Sequence, residues 1–112
     1  MTDVTPAPED RLSIRVDDGE PETFVLEGDL DPLTAPMLQE RVEAATDDTT
    51  TSIVFDVRGV GFADSAGLLE IADTHRQLSD AGGALVIREP SDALRKLLTV
   101  TGLADHVTVE PS

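Results

Sequence analysis

Residues 53–69 of the chain read IVFDVRGVGFADSAGLL, and a strand gives way to a helix within this stretch. Its first part, Ile53 to Phe55 with Val57, is apolar on both sides, which is typical of a central strand covered on both faces. We expect a loop through Gly59 to Phe62 and then a helix that begins near Ser65. A buried strand followed by a helix usually belongs to a βαβ unit, so we predict the α/β class.

Upstream of this stretch, the sequence predicts a β-hairpin and one helix. Apolar and polar residues alternate over residues 11–16 and again over 24–28, with turn residues at 17–20 between them. The period becomes helical from Thr34, which we predict as the N-cap of the first helix. The apolar face of this helix carries Leu38, Val42 and Ala45. The order up to the central strand is therefore ββα.

Downstream, two helices alternate with two short strands. The predicted buried stripe of the second helix consists of Leu68, Ile71, Ala72, His75 and Leu78. A strand over Ala84 to Ile87 follows. Pro90 and Ser91 open a third helix, which Gly102 ends. The predicted inward face of this helix is Leu94, Leu97, Leu98 and Thr101. A last weak strand, Val107 to Val109, completes the order ββαβαβαβ.

This order predicts one domain, a mixed β-sheet of about four to five strands with helices packed on it and right-handed crossovers. Residues 1–10 (MTDVTPAPED) are polar, contain two prolines and lack periodicity, so we expect a disordered N-terminal tail there. The folded domain should then span residues 11–110. A chain of 112 residues has room for one such core.

The composition limits the classes of function. Twenty-three acidic residues against eight basic ones give a net charge of −15, which repels the phosphates of nucleic acids and of anionic lipids. Without cysteine, the chain forms neither disulfides nor thiolate metal sites. No apolar run approaches the ~20 residues of a membrane span, and the N-terminus lacks the pattern of a signal peptide. We therefore expect a cytoplasmic protein that neither binds nucleic acid nor inserts into a membrane.

The sequence offers no constellation typical of an enzyme, a cofactor site or a metal site. Its only lysine, Lys96, lies inside the predicted third helix, away from any glycine-rich phosphate loop. His75 and His106 stand far apart in the sequence without further ligands around them, so we interpret both as structural or surface residues. We interpret Asp29 and Asp31 as loop and turn residues. No cofactor and no catalytic residue is predicted.

Ser65 is the remaining candidate, because it follows Asp64 at the junction between a loop and a helix. A helix N-terminus presents free N–H groups and a partial positive charge, so a phosphate on Ser65 would be accepted there without unfolding the helix. The alternative, which the local sequence favours, is that Ser65 is only the N-cap, a role that Asp64 could also fill. An activated nucleophile is not predicted, since adjacent residues at a helix start rarely point at one another.

Three segments together resemble the STAS domain, and in particular the bacterial anti-sigma factor antagonists of that family. They are GDLD at Gly28 to Asp31, DVRGVGFADSAG at Asp56 to Gly67, and the strand after two glycines at Gly82 to Ile87. The resemblance implies that Ser65 is phosphorylated by an anti-sigma factor, itself a serine kinase of the histidine-kinase-like ATPase type. It also implies a partner switch: the unmodified domain captures the anti-sigma factor and frees the sigma factor, phosphorylation reverses this, and a PP2C-type serine phosphatase resets the domain.

The resemblance further implies a partner-binding surface and leaves one alternative open. The implied contact residues are Asp29, Asp31, Phe62, Asp64, Ser65, Ala66, Gly67 and Leu69. Many members of the family carry Ser or Thr where this chain has Ala66. A similar small-residue pattern occurs in STAS subunits of phospholipid-transport ABC complexes, so a subunit of that kind, indifferent to phosphate, is the alternative. We expect a monomer or a weak dimer.

Overall fold

The computed structural model of the chain describes residues 8–19, 21–47 and 52–111. The helices are α1 Pro8–Arg11, α2 Ala35–Ala45, α3 Ser65–Asp80 and α4 Asp92–Val100, with a short 3-10 helix, η1, at Leu103–Asp105. The strands are β1 Leu12–Asp17, β2 Glu22–Leu30, β3 Ser52–Ala63, β4 Ala84–Arg88 and β5 Thr108–Glu110. Apart from α1 and η1, this is the predicted order ββαβαβαβ.

The five strands form one mixed sheet in the spatial order β1-β2-β3-β4-β5. β1 and β2 pair antiparallel as a hairpin, in which Ile14 lies opposite Leu26, and the three remaining pairs are parallel. The predicted mixed sheet is confirmed. β3 lies at its centre, as its apolar pattern on both sides indicates.

β3 is longer than the sequence predicts. Gly59 to Phe62, which we expected to form a loop, continue the strand to Ala63, so that prediction is wrong. The reason is tertiary, because β2 runs beside β3 to the end of both strands, where Leu30 lies opposite Ala63. The register of this pair shifts twice, between Val25 and Glu27 and between Gly28 and Asp29 of β2. The two strands consequently end side by side, and the loops that follow them meet.

One hydrophobic core joins the sheet to the helices. β2 and β3 contribute Phe24 and Phe55, whose rings meet edge to face with their centroids 5.7 Å apart. The largest fully buried side chains also include Leu12, Leu26, Leu30, Leu38, Ile53, Ile71, Leu78, Leu85, Ile87 and Leu98. Aliphatic side chains thus fill most of the core, as a chain with only three aromatic residues requires.

The buried face of α3 differs from the prediction. The helix buries Gly67, Glu70, Ile71, Thr74 and Leu78, whereas the predicted stripe was Leu68, Ile71, Ala72, His75 and Leu78. Glu70 and Thr74 are accommodated because they hydrogen-bond each other, with Thr74 Oγ1 donating to Glu70 Oε1 over 3.3 Å. Leu68, Ala72 and His75 are partly buried on the neighbouring side of the helix. The helix is therefore rotated relative to the prediction.

α4 begins and ends as the sequence predicts. Ser91 Oγ accepts the backbone N–H of Leu94 over 3.1 Å, and Gly102 adopts a φ of 81° just past the helix. Leu94 and Leu98 are buried as expected. Thr101 is exposed, contrary to the prediction, and its hydroxyl donates over 2.7 Å to the carbonyl of Leu97.

At the N-terminus, α1 occupies the end of the segment that we predicted as a disordered tail. Pro8–Arg11 form one helical turn, and the Arg11 side chain is hydrogen-bonded to the loop after β2. Residues 1–7 lie outside the described residues, so the tail stays a prediction there. Glu20, the last residue of the predicted hairpin turn, also lies outside them.

Candidate functional site

The predicted site residues lie where β2 and β3 end. Asp29 stands opposite Phe62 in the register of these strands, and Leu30 stands opposite Ala63. The backbone N–H of Asp64 then donates to the carbonyl of Leu30 over 3.1 Å, which ties the start of α3 to the end of β2. The structure thus brings together two segments that are distant in the sequence.

Asp64, and not Ser65, caps α3. The Oδ1 atom of Asp64 accepts the backbone N–H of Ala66 over 2.9 Å and that of Gly67 over 3.3 Å. Ser65 is the first helical residue, it is exposed, and its hydroxyl makes no hydrogen bond to another described residue. The interpretation of Ser65 as only the N-cap is therefore wrong, and the cap belongs to Asp64.

Gly67 fixes the distance between α3 and β2. A Cβ atom at this position would lie 2.8 Å from Leu30 Cβ and 3.1 Å from the carbonyl oxygen of Leu30. Contacts that short require a shift of the helix or of the strand. Gly67, predicted as a contact residue, is buried against β2. Because glycine has no side chain, the first turn of α3, which includes Ser65, can pack closely against β2.

Asp31 closes the loop between β2 and α2. Its Oδ1 atom accepts the N–H groups of Leu33 and Thr34 over 2.9 and 3.0 Å, and its Oδ2 atom accepts from Arg11 Nε over 2.9 Å. The hydrogen bond from Arg11 is the main cause that lowers the pKa of Asp31 below its ordinary value, and the two backbone N–H groups add to this effect. Asp31 is only 6% exposed. Its interpretation as a turn residue is confirmed. The same interpretation of Asp29 is wrong, because Asp29 lies within β2 and pairs with Phe62 of β3.

Thr34 lies at the predicted N-cap position of α2, but its side chain does not cap the helix. Its hydroxyl donates to the carbonyl of Asp29 over 2.7 Å and accepts the N–H of Asp31 over 3.0 Å. The first N–H of the helix, from Ala35, is accepted by the carbonyl of Asp31 over 2.9 Å. The predicted N-cap position is thus confirmed, but the buried hydroxyl of Thr34 is used within the loop and makes no side-chain capping hydrogen bond.

Of the eight predicted contact residues, three are exposed, namely Phe62, Ser65 and Leu69. Asp29, Asp64 and Ala66 are partly exposed, and Asp31 and Gly67 are buried. Phe62 is 53% exposed and Leu69 is 61% exposed. We call Asp29, Phe62, Ser65 and Leu69 the strand-end surface. Leu33, exposed in the loop after β2, was not predicted, because a single leucine in a loop carries no periodic signal.

Glu70 is a buried carboxylate that the sequence did not single out. It is 6% exposed on the side of α3 that faces away from Ser65. Burial is the main cause that raises the pKa of Glu70 to about 7; the hydrogen bond from Thr74 opposes this rise, and the neighbouring charges of Asp73 and Glu43 contribute to it. Near neutral pH this side chain therefore carries a proton in part of the molecules.

The two histidines, which stand far apart in the sequence, lie side by side. The ring centroids of His75 on α3 and His106 after η1 are 5.8 Å apart. Within the described residues, no group of three or more metal-ligating side chains occurs, so this pair lacks the further ligands of a metal centre. No described helix has the length and apolar character needed to cross a membrane.

A family model and several known proteins match this chain. The model of the STAS domain matches residues 13–112. An anti-sigma-B factor antagonist of Staphylococcus aureus is 33% identical over 82 residues, which cover 73% of this chain and 76% of that protein. The sequence similarity therefore includes most of both chains.

Two solved structures extend the comparison to three dimensions. The crystal structure of an anti-sigma factor antagonist from Mycobacterium paratuberculosis has a TM-score of 0.80 and 26% identity, covering 96% of this chain and 92% of that one. The Bacillus cell fate determinant SpoIIAA in its phosphorylated form has a TM-score of 0.69 and 21% identity, covering 89% and 93%. At 21% identity, the similarity to SpoIIAA shows a shared fold.

Proposed function

The chain belongs to the STAS domain family, and on this premise we propose that it acts as an anti-sigma factor antagonist. Its unphosphorylated form binds an anti-sigma factor that is also a serine kinase of the histidine-kinase-like ATPase type, and so releases the sigma factor. Phosphorylation of Ser65 reverses this binding, and a PP2C-type serine phosphatase restores the unmodified domain. The names of the Staphylococcus and Mycobacterium relatives support the proposal.

The observation that carries the proposal is the unused hydroxyl of Ser65. Asp64 caps α3 without help from Ser65, which is exposed at the helix start and whose hydroxyl makes no hydrogen bond to another of the described residues. In the transfer step, the bond between the γ-phosphorus of ATP and its bridging oxygen breaks and a bond to Ser65 Oγ forms. ADP leaves, and the hydroxyl proton passes to a base of the kinase or to water. The antagonist supplies only the acceptor.

The free energies involved are large enough for phosphorylation of Ser65 to release the partner without unfolding the domain. A phosphate adds about −1.5 to −2 charges, and the N-terminus of α3 contributes roughly 0.3–2 kcal/mol in its favour, so the fold is retained. At an interface, a hundredfold loss of affinity corresponds to about 2.8 kcal/mol. Burying a phosphate between two packed surfaces without matched donors readily exceeds that value.

The test is a pull-down from the cells that contain this protein, with Ser65→Ala and Ser65→Asp baits side by side. We expect the alanine bait to retain a histidine-kinase-like ATPase that the aspartate bait loses. The purified ATPase should also transfer phosphate from ATP to the wild-type chain and not to Ser65→Ala, as measured by intact-protein mass spectrometry.

The alternative function predicts a different pattern. A STAS subunit of a phospholipid-transport complex would bring down the same transporter ATPase with both baits, because the charge at Ser65 would not matter to it. That result would replace the proposed switch by a constitutive subunit.

A further inference from the structure

Beside the strand-end surface, a groove of about 500 Å³ runs between α3 and the segment that follows α4. Its α3 wall consists of Ser65, Leu68, Leu69 and Ala72, and its other wall includes Leu103 and Asp105. These residues include one exposed leucine and two that are partly buried. The groove therefore offers apolar area that the domain itself leaves uncovered, and Ser65 belongs to its wall.

The spacing of the α3 wall indicates the shape of the occupant. Ser65, Leu68, Leu69 and Ala72 are the positions i, i+3, i+4 and i+7 of one helix face, which extends over about 10 Å. An apolar groove of this length, open to solvent, suits an amphipathic helix that lays its apolar face into it. A volume of this size holds several side chains.

The charge of the groove indicates the chemistry of that helix. Leu68 and Leu69 lie one helical turn from Ser65. Asp105 and His106 lie towards the other end, because the ring of His106 is 5.8 Å from that of His75, about 15 Å along α3 from Ser65. Among the described residues, no lysine or arginine lines the groove, and the chain as a whole has a net charge of −15. An occupant with basic side chains at the Asp105 end is therefore attracted, and an acidic one is repelled.

We propose that this groove binds an amphipathic helix of the anti-sigma factor, with apolar side chains at the Ser65 end and arginine or lysine at the Asp105 end. The inference rests on the proposed function and names the element of the partner that makes contact. It also supplies the physical cause of release. A phosphate on Ser65 would be enclosed by the apolar side chains of the docked helix next to Leu68 and Leu69, and would lose its water.

Photo-crosslinking tests the position and chemistry of the occupant. Full-length protein carrying p-benzoylphenylalanine at Leu69 or at Leu103 is expressed in the source cells and irradiated, and the crosslinked peptides are sequenced. We expect both positions to capture one helical segment of the ATPase, with leucine-type residues at helical spacing and basic residues beside them. Val100, a 73% exposed residue of α4 that does not line the groove, is the control and should give little product.

A matched pair of variants tests the energetics. Ala72→Leu places three more carbon atoms in the groove, whereas Ala93→Leu makes the same change at an exposed position of α4 outside it. We expect Ala72→Leu to weaken binding of the purified ATPase at least tenfold, about 1.4 kcal/mol, and Ala93→Leu to change it less than twofold. Both variants should melt within a few degrees of the wild type.

The outcomes separate the inference from the function on which it rests. If Ser65→Ala retains the ATPase but Ala72→Leu binds it as tightly as the wild type, the groove is not the docking site and the proposed function stands. Crosslinks to a second copy of this chain, or to a segment without basic residues, also overturn the inference. If the alanine bait retains no such ATPase, the proposed function fails and the inference fails with it.

Discussion

The loops after β2 and β3 stand side by side and use their polar groups in opposite ways. In the loop after β2, Asp31 is bonded to Arg11, Leu33 and Thr34 and is almost fully buried. At the start of α3, Asp64 satisfies the helix N–H groups, and the hydroxyl of Ser65 is left at the surface.

Acidic and hydroxyl residues at the two strand ends therefore have different roles. Some form hydrogen bonds that hold the fold together, and others keep their polar atoms exposed to solvent and open to modification. A side chain whose donors and acceptors are all matched stabilises the fold, and its loss is felt as unfolding. A side chain without such partners changes little in the fold when it is modified. The difference supports the proposal that Ser65 is the regulated residue, whereas Asp31 holds the neighbouring loop.

The largest expected change in stability follows from replacing Asp31, the hydrogen-bonded member of the comparison. Asp31→Ala leaves the N–H groups of Leu33 and Thr34 without their side-chain acceptor and Arg11 without its main partner, so the melting temperature should fall by on the order of 10 °C. Ser65→Ala should change it by less than about 2 °C, since Ser65 has no matched bond to lose. Thermal unfolding followed by circular dichroism measures both. Equal melting temperatures would remove the distinction between the two loops.

A second prediction concerns the contact that joins the two loops. Gly67→Ala places a Cβ atom 2.8 Å from Leu30 Cβ, so the variant should lose about 1–3 kcal/mol of unfolding free energy in urea titrations. Gly61→Ala is the matched control, because a Cβ atom there meets nothing within 4 Å. It should be within about 0.5 kcal/mol of the wild type. A neutral Gly67→Ala would show that α3 is free to move away from β2.

The smallest expected change in stability concerns Glu70. Like Asp31 it is a buried carboxylate, but its side chain accepts a hydrogen bond from Thr74 and has no arginine partner among the described residues. The folded protein keeps a proton on Glu70 up to a pKa of about 7, whereas the unfolded chain loses it near the ordinary value of 4.5, so Glu70 makes stability fall as pH rises between these values. Glu70→Gln should raise the unfolding free energy by about 1–2 kcal/mol at pH 8, after allowance for partial solvent access, and by almost nothing at pH 4.5.

Denaturant titrations at the two pH values provide the measurement for Glu70. Glu40→Gln makes the same change at an exposed position of α2 and is the control for the loss of one carboxylate from the surface. A Glu70→Gln protein that is destabilised equally at both pH values would indicate that the amide fits the site poorly and that the buried charge is unimportant.

The sequence predicted those features that depend on local pattern. The alternation of β1, the apolar run of β3, the serine cap of α4 and the glycine after it are signals within a few residues. The end of β3 was missed because its strand character comes from pairing with β2, whose residues lie far away in the sequence. The buried side of α3 was missed because Gly67 and Glu70 read as surface residues until the contact with Leu30 is known.

The site was predicted unevenly for the same reason. The position of Ser65 at a helix start follows from the local sequence, and its proposed role follows from the family resemblance. That Asp64 alone provides the cap is a matter of side-chain direction, which adjacent positions in a sequence do not reveal. The pairing of His75 with His106 and the groove beside Ser65 arise only when α3 packs beside η1.

The division of labour between Asp64 and Ser65 also has a consequence for how such proteins change over generations. Because the cap of α3 does not use the serine hydroxyl, we expect a small substitution at position 65 to leave folding intact and, if the proposed function holds, to act on regulation. After gene duplication, a single substitution at this position is enough to remove the response to a kinase or to restore it. Natural selection then acts on the change in regulation, because the stability of the domain stays the same. Partner choice in such a lineage can diverge while the scaffold stays the same.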